Sequence, residues 1–270
     1  MIILSENLST TERTYLSSVI IDDETLDLEG MWALINAAWK ECQCDPDIMD
    51  ERISVFYEHP VWLLNGFFIE QHDESLSNRR DFTNYVDSLK PRRIADFGGG
   101  YGSLARMIGS RCSDAEVHIV ELHPHAAAIS LTEQTPNVRY VPKLTGEYDV
   151  LIATDVFEHV PDPLVLVEST AAHLRTGGEY LIANCFWPVI RCHLPSTFHF
   201  RWSWDAAMKA MNLQPGKPVT YGRAYKRVGP ISAIAARGIE QRSKRWFELI
   251  EWMPGRVRAL LARFVFSGLQ

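Results

Sequence analysis

The sequence predicts an α/β fold: a Rossmann-like, doubly wound, mostly parallel sheet with an N-terminal helical cover and C-terminal helices. Three observations predict it. A glycine-rich loop over 98–102 joins an apolar segment to a helical one, the strand–turn–helix arrangement of such sheets. After Pro91, strand-like and helix-like segments alternate, as in a parallel sheet covered on both faces. Before Pro91, the apolar spacing is helical.

The predicted organisation has three parts: a helical cover (1–90), a ligand-binding core (91–230) and a basic helical tail (231–270). In the cover, residues 31–40 have helical periodicity, and Asp45 followed by Pro46 is typical of a helix start. Two more helices are predicted, over 61–69 and from a Ser77 cap to Leu89. We expect these helices to be able to close over a ligand.

The core elements follow from apolar runs separated by turn residues. Strands are predicted over 93–97, 116–121, 137–141, 148–154 and 179–185, and helices over 102–112, 123–135 and 164–174. The chain then predicts a helix capped by Ser203, a hairpin over 218–228, and two tail helices over 239–253 and 256–266.

Composition excludes several classes of protein. The apolar fraction of 46% and the charged fraction of 23% are ordinary for a globular protein. No apolar run is long enough to cross a bilayer, and the first residues do not resemble a signal peptide. The five cysteines have no zinc-site spacing, so we expect reduced thiols, a cytoplasmic protein and no bound metal.

Charge is distributed unevenly along the chain. The net charge is −7, yet residues 217–270 contain eleven basic and three acidic residues. The predicted tail helix over 256–266 has an apolar stripe flanked by arginines, which suits a membrane surface, a partner protein or the protein's own core. The sequence leaves these three alternatives open, and it leaves the oligomeric state open.

The loop has the pattern acidic-x-Gly-x-Gly-x-Gly, formed by Asp96, Gly98, Gly100 and Gly102. Glycine permits a positive φ and lets a ligand approach the backbone closely. The pattern resembles the first signature of class I S-adenosylmethionine-dependent methyltransferases, whereas the dinucleotide fingerprint expects glycine where this chain has Ser103. The resemblance implies a cofactor site formed by Asp96, Phe97, Gly98, Gly99, Gly100 and Tyr101.

Glu121 ends the second predicted strand, twenty-three residues after Gly98. A carboxylate at this point can accept hydrogen bonds from both ribose hydroxyls of an adenosine. The resemblance implies this role for Glu121 and places Leu122 against the adenine. The family often has an acid after the third strand for the adenine amino group, but residues 141–144 offer none, so that role stays unassigned.

Residues 148–163 carry a second signature, in which the fourth strand is followed by Asp155-Val156-Phe157-Glu158-His159-Val160. It resembles the motif of the small-molecule branch of these enzymes, which includes ubiquinone-biosynthesis O-methyltransferases. Residues 173–182 resemble the helix–turn–strand that comes next, so the likeness covers about 92–185. Since ligands bind at the carboxyl ends of parallel strands, we expect Thr154, Asp155 and His159 to converge near the glycine loop.

A general base would assist methyl transfer to a hydroxyl, and histidine is suited to that role near neutral pH. We take His159, Asp155 and His199 as catalytic candidates. His193 and His199 lie in an aromatic-rich segment over 185–202, where the family places an acceptor-facing loop. A metal site formed by His193, His199 and Asp155 is conceivable but is not our prediction.

The sequence thus predicts an S-adenosylmethionine-dependent methyltransferase acting on a small molecule, at a hydroxyl oxygen of a sugar, quinone or secondary metabolite. A nucleic-acid substrate is disfavoured by the acidic body and by the absence of a base-methylase motif after strand four. Two alternatives remain: a nucleotide-fold binding subunit without turnover, and a nicotinamide-dependent oxidoreductase.

Overall fold

A computed structural model describes residues 7–19 and 26–250. The first five helices are α1 (Thr10–Val19), α2 (Leu28–Glu41), α3 (Glu51–Glu58), α4 (Val61–Ile69) and α5 (Asp73–Ser88). The core then runs β1 (Arg93–Phe97), α6 (Ser103–Arg111), β2 (Glu116–Val120), α7 (Ala126–Thr132), β3 (Val138–Val141), β4 (Tyr148–Thr154), α8 (Pro163–Ala171) and β5 (Leu174–Ala183). It ends with α9 (Phe200–Ala210), β6 (Leu213–Val219), β7 (Gly222–Arg227) and α10 (Ala233–Ile250).

Seven strands form one sheet in the order β3-β2-β1-β4-β5-β7-β6. The first five strands pair in parallel, and β7 joins β5 and β6 in antiparallel fashion. Apolar clusters lie on both faces of the sheet, as expected when helices cover both sides. The fold class predicted from the sequence is confirmed. The strand order reverses beside β1, so the carboxyl ends of β1 and β4 border the crevice where such sheets bind ligands.

The first four helices share an apolar cluster in which Trp39, Phe56 and Leu64 are almost fully buried. The cluster also contains Ala127 of α7 and Cys192 of the loop after β5. The helices therefore pack against the edge of the sheet from which the ligand loops emerge. No helix in the described ranges is long and apolar enough to cross a membrane.

Several predicted helix boundaries are wrong. Asp45 starts no helix and instead forms a bridge with Ile48, while Asp50 caps α3 by accepting the Arg52 N–H at 3.0 Å. Helix α5 starts four residues before Ser77, and α9 starts at Phe200, so Ser203 lies inside it. The predicted tail helix over 256–266 lies outside the described residues.

Strand β5 also begins earlier than predicted, at Leu174 instead of Glu179. The Gly177–Gly178 pair lies within β5, and the β4–β5 register shifts at the start of β4. Gly177 has a φ of 81°, so a glycine allows the strand to bend there and begin earlier than the apolar run suggests.

Candidate active site

The glycine loop has the backbone geometry that only glycine adopts at low cost. Gly98, Gly100 and Gly102 have φ values of 71°, 52° and 78°. A Cβ at Gly98 would lie 2.6 Å from Cγ2 of Val156, the residue that follows Asp155. The loop is thus packed directly against the segment after β4. Gly102 precedes α6 and closes the turn by donating its N–H to the Gly99 carbonyl at 2.8 Å.

Glu121 follows β2 and faces the glycine loop, as its position in the sequence predicts. Its Oε2 accepts a hydrogen bond from the Gly100 N–H at 3.0 Å, and its Oε1 accepts from the His123 N–H at 3.2 Å. The next residue, Leu122, has 83% of its surface exposed beside this carboxylate. Two carboxylate oxygens and one exposed apolar side chain therefore lie together beside the glycine loop.

Asp96, at the end of β1, is buried beneath the loop with 1% of its surface exposed. Burial raises its pKa to about 7; the positive charge of Arg79 opposes this rise and the negative charge of Glu121 adds to it. The Oδ1 atom has no hydrogen-bond partner among residues 7–19 and 26–250. A buried carboxylate oxygen without a partner is costly, and a donor on a bound ligand would remove that cost.

Arg79 of α5 is a site residue that sequence reasoning missed. Its charge lowers the pKa of both Asp96 and Asp155, so the guanidinium lies near the ends of two core strands. Its Nη1 donates to the Ser75 carbonyl at 3.1 Å, and its Nε is buried with no partner in the described part of the chain. Nothing in the sequence separates Arg79 from its neighbour Arg80, because the contact depends on how α5 packs.

Asp155 follows β4 with a φ of 54°, a conformation that few residues other than glycine adopt. Its N–H donates to the Ala183 carbonyl at 2.8 Å, and its Oδ2 accepts from the Tyr221 hydroxyl at 2.8 Å. Surrounding protein atoms raise the pKa of the Asp155 carboxyl, and the hydrogen bond from Tyr221 opposes this rise. The residue itself remains exposed to solvent. Tyr221, from the turn between β6 and β7, was not anticipated as a site residue. Thr154, the last residue of β4, is half-buried.

Tyr101 connects the loop to the helical cover. Its ring meets Phe67 of α4 edge-on at 5.2 Å, and the Arg106 guanidinium lies over the Tyr101 ring at 5.2 Å. A Cβ at Gly66 would lie 2.5 Å from the Tyr101 side chain, so the close contact between α4 and the loop requires glycine at this position. Phe97, the last residue of β1, is half-buried beside the loop.

His159 lies in a 3₁₀ turn directly after β4, where burial lowers its pKa to about 3. Its Nδ1 donates to the Cys192 carbonyl at 3.0 Å, which leaves a lone pair on Nε2. The neighbouring ring is that of His193, with the centroids 4.9 Å apart. Glu158 is fully buried beside them, and burial together with the charge of Asp155 raises its pKa to about 8.

His199 does not lie with His159, although the sequence analysis grouped the two as catalytic candidates. It is 2% exposed, its ring packs on Phe200 at 4.1 Å, and its carbonyl accepts from Ser243 of α10 at 2.9 Å. Burial lowers its pKa to about 4. The structure thus brings His193, and not His199, together with His159, because His199 is held against α10.

The raised pKa of Asp96 gives the first testable prediction. Below about pH 4 the carboxyl is protonated in both the folded and the unfolded chain. Between about pH 4 and 7 only the folded chain keeps the proton, so this group lowers the free energy of unfolding as the pH rises. We expect Asp96→Asn to remove that loss, and the variant to gain up to about 4 kcal/mol over wild type between pH 4 and 8. Urea unfolding of both proteins without ligand measures the difference, and a difference that stays constant with pH would contradict burial of a protonated carboxyl.

Comparison of the chain with known proteins gives matches to a family model, to curated proteins and to solved structures. A family model described as a methyltransferase domain matches residues 68–216. The ubiquinone biosynthesis O-methyltransferase of Marinobacter nauticus is 27% identical over 115 residues, covering 37% of this chain and 48% of that protein. The Vibrio parahaemolyticus protein of the same name is 27% identical over 132 residues, covering 46% and 56%. The chain spans about half the length of the curated relatives it matches.

A solved structure shares the fold. Human N-acetylserotonin methyltransferase in complex with S-adenosylmethionine aligns with a TM-score of 0.50 and 16% identity, covering 74% of this chain and 66% of that one. At this identity the likeness concerns the fold alone. It covers 74% of the chain, whereas the family match covers residues 68–216.

Proposed function

The chain belongs to the methyltransferase-domain family, and on that premise we propose that it transfers a methyl group from S-adenosylmethionine to a hydroxyl oxygen of a small molecule. The observation that carries the proposal is the Glu121 carboxylate facing the Gly98–Gly102 loop, above the buried and unpartnered oxygen of Asp96. The family match confirms the resemblance predicted from the sequence, and it favours neither the oxidoreductase nor the non-catalytic alternative.

The residues around the loop fit the cofactor's separate groups. Glu121 would accept hydrogen bonds from the ribose hydroxyls, and the exposed Leu122 would lie against the adenine. The loop, from Phe97 through Gly99 to Tyr101, would lie along the amino-acid part. Asp96 would accept a hydrogen bond from the amino group, and Arg79 would pair with the carboxylate. Thr154 and Asp155 would border the methyl group.

When bound, S-adenosylmethionine supplies a methyl group already activated by the adjacent sulfonium. What remains for the protein is mainly positioning: the acceptor oxygen must be held in line with the methyl carbon, in a space that excludes water. His159 retains a lone pair on Nε2 that can accept a hydrogen bond from the acceptor hydroxyl. Its low pKa makes it a weak proton acceptor, so we assign it chiefly an orienting role beside Asp155.

Arg79 provides a direct test of the cofactor assignment. Removing a charge-assisted pair with the cofactor's carboxylate costs about 1.5–3 kcal/mol, so Arg79→Ala should weaken binding of S-adenosylhomocysteine roughly 10- to 100-fold. Arg80, the next residue on α5, is exposed, and Arg80→Ala is the matched control that should bind normally. Equal affinities for the two variants would exclude Arg79 from the site.

The activity itself is tested with trideuteromethyl-labelled S-adenosylmethionine and a panel of phenols, quinols and sugars, together with their amino-substituted analogues. We expect the label on an oxygen of at least one acceptor, and none with Glu121→Ala. Label on nitrogen would contradict the oxygen assignment and leave the cofactor assignment intact. Binding of the cofactor with no transfer to any acceptor would instead favour a binding subunit without turnover.

A further inference from the structure

Three side chains that could bind a metal ion meet at the turn that follows β4. Glu158 and His159 belong to the turn Phe157–His159, and His193 comes from the loop between β5 and α9. One ligand atom from each residue lies within 4.8 Å of the others. The two segments are tied together, because the Leu194 N–H donates to the Glu158 carbonyl at 2.8 Å. The cluster is therefore a fixed junction between two loops.

Both histidines are held in the orientation that metal-binding histidines adopt. Nδ1 of His159 donates to the Cys192 carbonyl at 3.0 Å, and Nδ1 of His193 donates to the Trp187 carbonyl at 2.7 Å. Since a carbonyl only accepts, each Nδ1 carries the proton and each Nε2 keeps its lone pair. A backbone carbonyl on the second ring nitrogen is the usual way in which proteins fix the tautomer and orientation of a metal-ligating imidazole.

Glu158 supplies the third donor. The residue is fully buried, its Oε1 accepts from the Cys185 N–H at 2.7 Å, and its Oε2 has no hydrogen-bond partner in the described ranges. A buried carboxylate oxygen without a partner is expensive, and coordination to a cation would satisfy it. The orphaned oxygen and the two oriented rings are independent observations that both indicate a ligand.

We propose that Glu158, His159 and His193 bind a divalent transition-metal ion such as Zn²⁺ or Co²⁺. Two imidazoles and one carboxylate favour such borderline ions, whereas Mg²⁺ and Ca²⁺ prefer sites made of oxygen ligands. Bonds of about 2.1 Å in a tetrahedral site place ligand atoms about 3.4 Å apart, so the three side chains move inward on binding. Three protein ligands leave one coordination position open.

This site replaces the arrangement considered from the sequence, which combined His193 with His199 and Asp155. His199 packs against α10, and Asp155 is bound by Tyr221. The Asp155 carboxylate is thus already paired, which leaves the set of Glu158, His159 and His193 described above. The metal site does not depend on the proposed methyl transfer, because the hydrogen bonds that hold its ligands come from this chain and not from the cofactor. His159 has one free lone pair, on Nε2, so a bound ion would use it in place of the direct hydrogen bond to the acceptor hydroxyl proposed above.

The test uses the tag-free full chain, freed of metal with a chelator, and titrated with Co²⁺ under visible spectroscopy. We expect saturation at one ion per chain with ligand-field bands, displacement by Zn²⁺ and no displacement by Mg²⁺. His193→Gln and Glu158→Gln should each weaken Co²⁺ binding on the order of 100-fold. Glu158→Gln keeps the side chain's shape and an acceptor for the Cys185 N–H, so its folding is least at risk.

His173→Gln is the matched control, because His173 also bonds a backbone carbonyl, that of Gly146, but is half-buried and lies outside the cluster. It should bind Co²⁺ as wild type does. Equal weakening by His173→Gln, absence of saturable binding to the folded wild type, or competition by Mg²⁺ at similar concentration would each overturn the proposal. Circular dichroism of every variant separates loss of the site from loss of the fold.

Discussion

Glu121→Ala should abolish useful cofactor binding, with the affinity for S-adenosylhomocysteine falling roughly 100-fold or more. The carboxylate follows β2, where we propose that it accepts from two ribose hydroxyls, and hydrogen bonds to a charged group contribute about 1.5–3 kcal/mol each. The same carboxylate bonds the Gly100 N–H, so its removal also loosens the loop against which the cofactor rests. Equilibrium binding to the purified variant measures the loss.

Asp114→Ala is the control for this change, since Asp114 is an exposed acid at the opposite end of the same strand. It should leave both binding and thermal stability unchanged. If Glu121→Ala bound the ligand as tightly as Asp114→Ala does, the ribose assignment would be wrong. A lowered melting temperature in Glu121→Ala alone would be attributed to the loop bonds.

Gly98→Ala is expected to have the largest effect on stability. A Cβ at this position meets Val156 at 2.6 Å, and the φ of 71° is strained for alanine. Left-handed strain and overpacking together cost about 2–5 kcal/mol of the free energy of unfolding. Because Val156 follows Asp155, relief of the clash would also displace the residues that we propose border the methyl group.

Gly100→Ala separates the two contributions. Its φ of 52° carries the same kind of strain, but a Cβ there meets nothing within 4 Å. This variant should lose only about 1–2 kcal/mol. Urea unfolding of both variants gives the comparison, and equal losses would mean that the loop does not pack on the β4 turn as described.

The sequence was sufficient to predict the parts of the site that depend on local pattern. The positive φ of the loop residues requires glycine at these positions. Glu121 directly follows β2, and its position beside the loop could be predicted because parallel strands end at the same edge of a sheet. For the same reason the order of strands and helices in the core was predictable. Helix boundaries were less predictable, because a cap such as Asp50 cannot be told by sequence from a nearby candidate such as Asp45.

The parts that escaped prediction depend on contacts between distant segments. Arg79 reaches the strand ends only because α5 packs beside them, and Tyr221 reaches Asp155 across 66 residues of chain. The choice of His193 over His199 as the neighbour of His159 is set by the path of one loop. No periodicity in the sequence encodes these distances.

The central claim is that the loop over 98–102 and Glu121 form a site for S-adenosylmethionine. Calorimetric titration of the wild-type chain with S-adenosylhomocysteine, and separately with NADH, tests it most directly. The account predicts saturable binding of S-adenosylhomocysteine at one molecule per chain and no binding of NADH. Tight binding of NADH, or no heat of binding with S-adenosylhomocysteine, would contradict it.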